Sequence, residues 1–296
     1  MLLIGVSCNK DIPGGSAGKY PILFRSMEET RAQATVTTMQ GDANGFNVYA
    51  FFTTPTATGL SFTKNVKYTN GSWTYQHNNQ GLEYWIPGAK YWFKAVYPAT
   101  INHDVDCANS DLKLTISNFD VRNQDDILVA ETGELDVDNT LGAPATGSIV
   151  NLQFKHLLAN VVVKMKSQKE GVTVHKITLG DVDTNCTYDG NDWKGNGNFT
   201  ELIYNPEQSI TLTKGDDYED VTGGGFLVVP ASAMKTLTIE TNIKTYNLTI
   251  PSGTWEIGTR YTYTIEIKQD DIVFVDGAPY VENWDSENAT GSVIIK

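Results

Sequence analysis

Short apolar runs that alternate every second residue recur along this chain, with turn-forming residues between them. A period of two puts one set of side chains on each face of a pleated strand, whereas a helix needs a period near 3.6. Residues 46–53 (FNVYAFFT) and 261–267 (YTYTIEI) show the alternation plainly. Residues 91–97 (YWFKAVY) are apolar at nearly every position, the pattern of a central strand, and Pro98 ends them. Asn70-Gly71 separates residues 60–68 from 72–76, which predicts a two-residue hairpin. Glu170-Gly171 likewise separates 160–166 (NVVVKMK) from 172–179. Further strands are expected at 20–24, 112–116, 127–130, 148–154, 209–213, 226–229, 236–241, 245–250, 272–275 and 292–295. No segment carries a convincing amphipathic helical pattern, and a turn at 155–160 is the sole exception considered. Strands at this spacing predict an all-β chain of sandwich type.

A length of 296 residues is that of two domains. The stretch 136–147 (DVDNTLGAPATG) has linker composition. It divides an N-terminal β-sandwich at 20–147 from a C-terminal one at 148–296. Residues 1–19 are expected to form a leader and tether. Met1 to Ser7 is an apolar run ending in small residues before Cys8, far too short to cross a bilayer. It also lacks the basic start of a secretory signal, so it reads as the tail of a longer apolar region. Acyl chains on Cys8 would anchor the protein to a membrane. The run from Cys8 to Asp11 resembles the start of bacterial surface lipoproteins, with Gly5 where such sequences usually carry Leu. Residues 13–18 (PGGSAG) then make a flexible spacer.

The formal charge of −13 repels phosphate backbones and excludes nucleic acid as a partner. Cys8, Cys107 and Cys186 form no CxxC pair and no zinc-type cluster with His77, His103, His156 or His175. Cys107 and Cys186 are expected to be isolated thiols. His156, inside an apolar stretch, reads as a hydrogen-bonded, partly buried residue and not as a ligand. Asp181-x-Asp183-x-Asn185 begins like a calcium loop, but Cys186 stands where the loop needs Gly and Asp192 where it needs Glu. No nucleophile elbow is present, and Gly223-Gly224-Gly225 lacks the Lys of a phosphate cradle. Neither a catalytic centre, a metal site nor a cofactor is expected. Trp73, Tyr75 and Trp85 leave two uses open. The sequence favours cross-strand packing, and the other use is stacking on a flat ligand such as a sugar.

Several segments, taken in order, resemble the fimbrillin family, the pilus subunits of Bacteroidia. They are Arg31-Ala32, the aromatic strand 91–98 ending in Tyr97-Pro98, Gln124 to Ala130 (QDDILVA), Phe154 to Val161 (FKHLLANV), Phe226 to Pro230 (FLVVP), Trp255 to Tyr263 (WEIGTRYTY) and Trp284. The resemblance implies two transthyretin-like β-sandwich domains in tandem and export as an outer-membrane lipoprotein at the cell surface. It implies proteolysis after an Arg, with Arg25 and Arg31 as candidates, and loss of the strand at 20–24. A strand from the next subunit would then fill the vacated groove, and Val293 and Ile295 in the C-terminal tail are candidate donor residues. Other pilus subunits are the implied partners in a structural, accessory or adhesive role. The alternative is a surface-tethered binder of host glycans or proteins that does not polymerise.

Overall fold

The computed structural model describes residues 20–27, 36–55, 58–77, 79–108, 111–215, 217–230, 235–250, 254–268, 271–275 and 278–284. These form an all-β protein of two compact units. The first comprises residues 1–29, 34–115 and 127–155, and the second 30–33, 116–126 and 156–296.

The first unit runs β1 (Leu23–Met27), the short helix α1 (Val36–Gly41), β2 (Phe46–Thr53), β3 (Thr58–Thr69), β4 (Ser72–Thr74), β5 (Lys90–Tyr97), β6 (His103–Ala108), β7 (Asp111–Phe119), β8 (Leu128–Glu131), β9 (Leu135–Asp136) and β10 (Ile149–His156). One sheet has the order β1-β10-β8-β5-β2-β3-β4, with β9 on β5. The segment apolar at nearly every position is β5, which is central as expected and pairs with both β2 and β8. Asn70 and Gly71 take φ of 52° and 82° and join β3 to β4, a turn that favours these two residue types. Alternate residues of the sheet fill one core: Phe46, Val48 and Ala50 of β2, Tyr91, Phe93 and Ala95 of β5, and Val150, Leu152 and Phe154 of β10. α1 breaks the expectation of a chain without helix. It contributes one buried side chain, Met39, and a single apolar anchor leaves no periodic stripe to read.

The second unit takes the last four residues of β7, Ile116 to Phe119, which pair with β13 (Cys186–Tyr188). Its main strands are β11 (Ala159–Ser167) and β12 (Thr173–Asp183), with the short β14 (Trp193–Lys194) following β13. Then come β15 (Phe199–Tyr204), β16 (Ile210–Thr211), β17 (Glu219–Asp220), β18 (Phe226–Val228), β19 (Thr236–Thr241), β20 (Thr245–Thr249), β21 (Thr259–Ile267), β22 (Ile272–Phe274) and β23 (Tyr280–Asn283). One sheet has the order β17-β11-β21-β22, with β18 on β11 and β23 on β21. A second has the order β15-β12-β19-β20, with β16 on β12. β11 and β21 are parallel in the register Asn160↔Arg260 to Ser167↔Ile267, so matched residues share a face. Val161, Val163 and Met165 lie buried with Tyr261, Tyr263 and Ile265, while Lys164 and Lys166 sit on the opposite face with Thr264 and Glu266. Each sheet thus has one apolar face, as sandwich packing requires.

Trp284 ends the described part of this unit. Its ring, 2% exposed, stacks on the buried imidazole of His156 at 3.8 Å and 10°. His156 Nδ1 lies 2.9 Å from Asp126 Oδ1, and the Arg260 guanidinium lies 5.9 Å from the Trp284 ring. The Trp284 amide donates to Gly258 O at 2.7 Å.

Candidate functional site

The segment just before Arg25 is a structural part of the first unit. Pro21 bridges Tyr84 in antiparallel sense. The Ile22 amide donates to Glu83 O at 2.8 Å, and the Trp85 amide donates to Tyr20 O at 3.0 Å. The chain then turns onto β10, against which β1 runs parallel from Leu23↔Ile149 to Met27↔Gln153. Alternation decides what it buries: Ile22 and Phe24 point inward at 0% and 6% exposure, while Arg25 is exposed.

Aromatic rings receive these two side chains. The Phe24 ring lies 5.8 Å from Tyr75 and 5.7 Å from Phe93, edge-on to the latter. Trp85 stands edge-on to Tyr91 at 5.0 Å and to Phe93 at 5.7 Å. Tyr75 ties the segment down with its one polar atom. Its hydroxyl donates to Ile22 O at 2.8 Å and accepts from the Glu83 amide at 3.0 Å. Burial pushes this phenol up to about 12. Lys64 holds Glu83 at 2.7 Å, with its ammonium 5.7 Å from the Tyr75 ring. Trp85 Nε1 donates to Ser148 O at 3.3 Å, beside the start of β10.

On its other side β1 has no sheet partner among the described residues. It opens instead on a groove of about 530 Å³ lined by Leu23, Phe24 and Ile149, with Trp73, Tyr75 and Leu82 opposite. β1 and β4 are the two ends of the same sheet, so its unpaired ends line one groove. The buried hydroxyl Oγ of Ser26 in the same strand makes no hydrogen bond among the described residues. An apolar groove beside a strand edge is a template for adding or exchanging a strand.

Of the three rings that could stack on a ligand, Tyr75 and Trp85 are 2% exposed and build the core, and Tyr75 also lines the groove beside β1. Trp73 is half-buried, in contact with Phe46 and Tyr68. Arg25 is exposed, and its backbone pairs with Asn151. Cys8, Arg31, Val293 and Ile295 lie outside the described residues. Near Asp181 and Asp183 the buried Lys235 ammonium donates to the Asp181 carbonyl, so a side-chain cation already serves that loop. No group of three or more His, Cys, Asp or Glu side chains among the described residues could hold a metal. His175 Nδ1 lies 2.7 Å from Ser209 Oγ, but the second ring nitrogen faces Thr173 and not a carboxylate, so no orienting acid completes a triad there. No helix among the described residues is long and apolar enough to cross a membrane.

The strand expected at 20–24 lies at Leu23–Met27, with Leu23 and Phe24 in common, and sequence reasoning missed what holds the segment. Ile22 and Tyr75 are 53 residues apart, and no local pattern marks such a bond.

Known proteins place this architecture. The profile of the family described as fimbrillin-like matches residues 30–284. A fimbrial protein from Bacteroides vulgatus has a similar solved structure, with a TM-score of 0.62 at 16% identity over 89% of this chain and 99% of that one. Cell adhesion candidates from Bacteroides ovatus and Bacteroides uniformis superpose with TM-scores of 0.58 and 0.56, at 13% and 17% identity. Each comparison covers 91% of this chain and 99% of the other. At such identities the likeness is one of fold. No curated protein matches.

Proposed function

This chain belongs to the fimbrillin-like family, and we propose that it is a subunit of a bacterial surface pilus that joins its neighbours by exchanging a strand. One observation carries this reading. Ile22 and Phe24, from a segment upstream of two arginines, supply core side chains to a sheet whose far side is an open groove. The family match begins at residue 30, downstream of β1, which supports a mature body that starts there.

Cleavage after Arg31 would release the whole of β1. Cleavage after Arg25 would leave Ser26 and Met27 paired with Leu152 and Gln153, so Arg31 is the productive site. Loss of the strand uncovers Tyr75, Trp85, Phe93 and the edge of β10. Uncovering a large apolar side chain costs about 1.5–3 kcal/mol, which an incoming strand would recover. The tail of this chain has the required pattern. Residues 292–296 read Ser-Val-Ile-Ile-Lys, and residues 21–25 read Pro-Ile-Leu-Phe-Arg. Aligned in the same direction, Val293 takes the place of Ile22, Ile295 that of Phe24 and Lys296 that of Arg25. In this alignment a donated tail lies parallel to β10, as β1 does.

In this reading the two units are transthyretin-like sandwiches, the precursor is held at the outer membrane by lipid on Cys8, and the protein is structural and not an enzyme. The test is N-terminal sequencing of protein recovered from the cell surface, with Arg31→Ala and Arg25→Ala beside the parent. Ala32 is the expected first residue, and Arg31→Ala should abolish surface filaments while Arg25→Ala leaves them. Filaments unchanged in Arg31→Ala, together with protease-treated protein that stays monomeric at high concentration, would defeat the proposal.

A further inference from the structure

The outer face of the β11–β21–β23 sheet holds a second concavity, of about 590 Å³, within the second unit. That volume suits a small molecule. Its make-up is unlike the groove beside β1. The hydroxyl residues Thr262 and Thr264 lie in its lining on β21, next to Lys164 on β11, the strand parallel to it. Tyr218 and Tyr280 add aromatic walls, and Tyr280 is 41% exposed. Arg260 and Glu282 complete the lining, 3.9 Å apart, so their charges largely offset each other. Lys166 and Glu266, 4.0 Å apart, do the same nearby, and the Lys166 ammonium lies 4.8 Å from the centre of the Tyr218 ring. Lys164 is exposed and makes no ion pair among the described residues. Lys164 is thus a lining cation without a salt bridge among the described residues; Asp220 lies opposite it on β17, and its carboxylate accepts from Thr222 and from the Gly224 amide.

We propose that this cleft binds a saccharide bearing a carboxylate. A sugar ring offers an apolar face to the exposed Tyr280 ring and hydroxyls to the two threonines and to Glu282, which can accept from them. Its carboxylate makes a charge-assisted hydrogen bond with Lys164. A nucleotide would bring several negative charges to a site where Lys164 is the lining cation without a salt bridge and Asp220 stands opposite it. A wholly apolar ligand would strand the hydroxyl floor without partners. The cleft pairs no nucleophile with a base, so it is a place for binding and not for turnover.

The proposal is independent of strand exchange and is tested on the full chain. Titration with 3′-sialyllactose, followed by ligand-observed NMR, should show saturable binding that weakens with salt. Lactose, which keeps the sugar rings and lacks the carboxylate, should bind at least about tenfold more weakly, the factor set by about 1.4 kcal/mol. Lys164→Gln should erase that preference. Tyr280→Phe should keep binding, while Tyr280→Ala should lose about tenfold. Thermal unfolding of each variant separates loss of the site from loss of the fold, and Lys164→Gln, at an exposed position, should melt with the parent. Equal affinity for the two sugars, no binding of sialyllactose or of a glucuronate-containing disaccharide, or affinity unchanged in Lys164→Gln would each overturn the proposal. Failure here leaves filament formation untouched, and loss of filaments in Arg31→Ala leaves this cleft intact.

Discussion

The two units are closed in different ways. The first is closed by residues 22–27, through the apolar side chains of Ile22 and Phe24, the main-chain pairing of β1 with β10 and the hydrogen bond that the Tyr75 hydroxyl donates to Ile22 O. The second is closed by Trp284, which stacks on His156 at 3.8 Å, lies near Arg260 and is backed by the bond between His156 and Asp126. Beyond the ring contacts of Phe24, the first set is made of backbone bonds and apolar burial, which another strand with apolar residues two apart can repeat. The second set depends on ring planes and on named polar partners.

Truncating the two seals should therefore have different consequences. Trp284→Ala is expected to have the largest effect, about 3–5 kcal/mol, since it empties a large buried site and bares His156. Urea unfolding followed by near-ultraviolet circular dichroism measures it, and added peptide should not restore the loss. Phe24→Ala should cost about 3 kcal/mol, the low end for such a change, because the groove beside it lets Tyr75 and Leu82 relax inward. In protein cut after Arg31, a peptide of residues 20–27 should restore much of the lost stability. If peptide rescues neither unit, or both, the contrast between the seals is wrong. Asp126→Ala should cost about 2 kcal/mol by removing the hydrogen-bond partner of a buried imidazole, and the loss should appear in the second unit alone.

How far the sequence revealed this arrangement depends on the range of the interaction. Strands with strong alternation were legible: 46–53 and 236–241 appear with the expected limits as β2 and β19. So was the Asn70-Gly71 hairpin, because its signal is local. The two-residue strands β9, β14, β16 and β17 carry too few residues for a period to show, and of these only β16 falls inside an expected strand. The segment at 20–24 was readable as extended chain, although the strand itself runs Leu23–Met27. Its parallel pairing to β10, across more than 120 residues, was not, because register between distant strands is fixed by packing. His156 read as a partly buried, hydrogen-bonded residue. Its stacking on Trp284 joins two positions that no spacing rule connects.

The smallest expected effect gives the finest comparison, since each unit carries a buried tyrosine whose pKa is pushed up to about 12, chiefly by burial: Tyr75 in the first and Tyr263 in the second. A phenol ordinarily titrates near 10, so between pH 10 and pH 12 the unfolded chain loses these protons while the folded one keeps them. The unfolded state then binds fewer protons and stability falls as pH rises. The stabilisation is whole below pH 10 and is lost as pH rises through 12. Tyr75→Phe removes the bonds to Ile22 O and from the Glu83 amide and should cost about 1 kcal/mol at neutral pH. It should also remove the first unit's share of the alkaline loss and leave the share of Tyr263, whose hydroxyl accepts from Trp255 Nε1 at 3.1 Å. Urea midpoints measured from pH 8 to pH 12 for Tyr75→Phe and Tyr263→Phe separate the two shares. In the protein cut after Arg31, Tyr75 meets water and its share should vanish without any substitution. An alkaline profile that strand removal leaves unchanged would mean that Tyr75 does not sit under β1, and the first seal would then need another account.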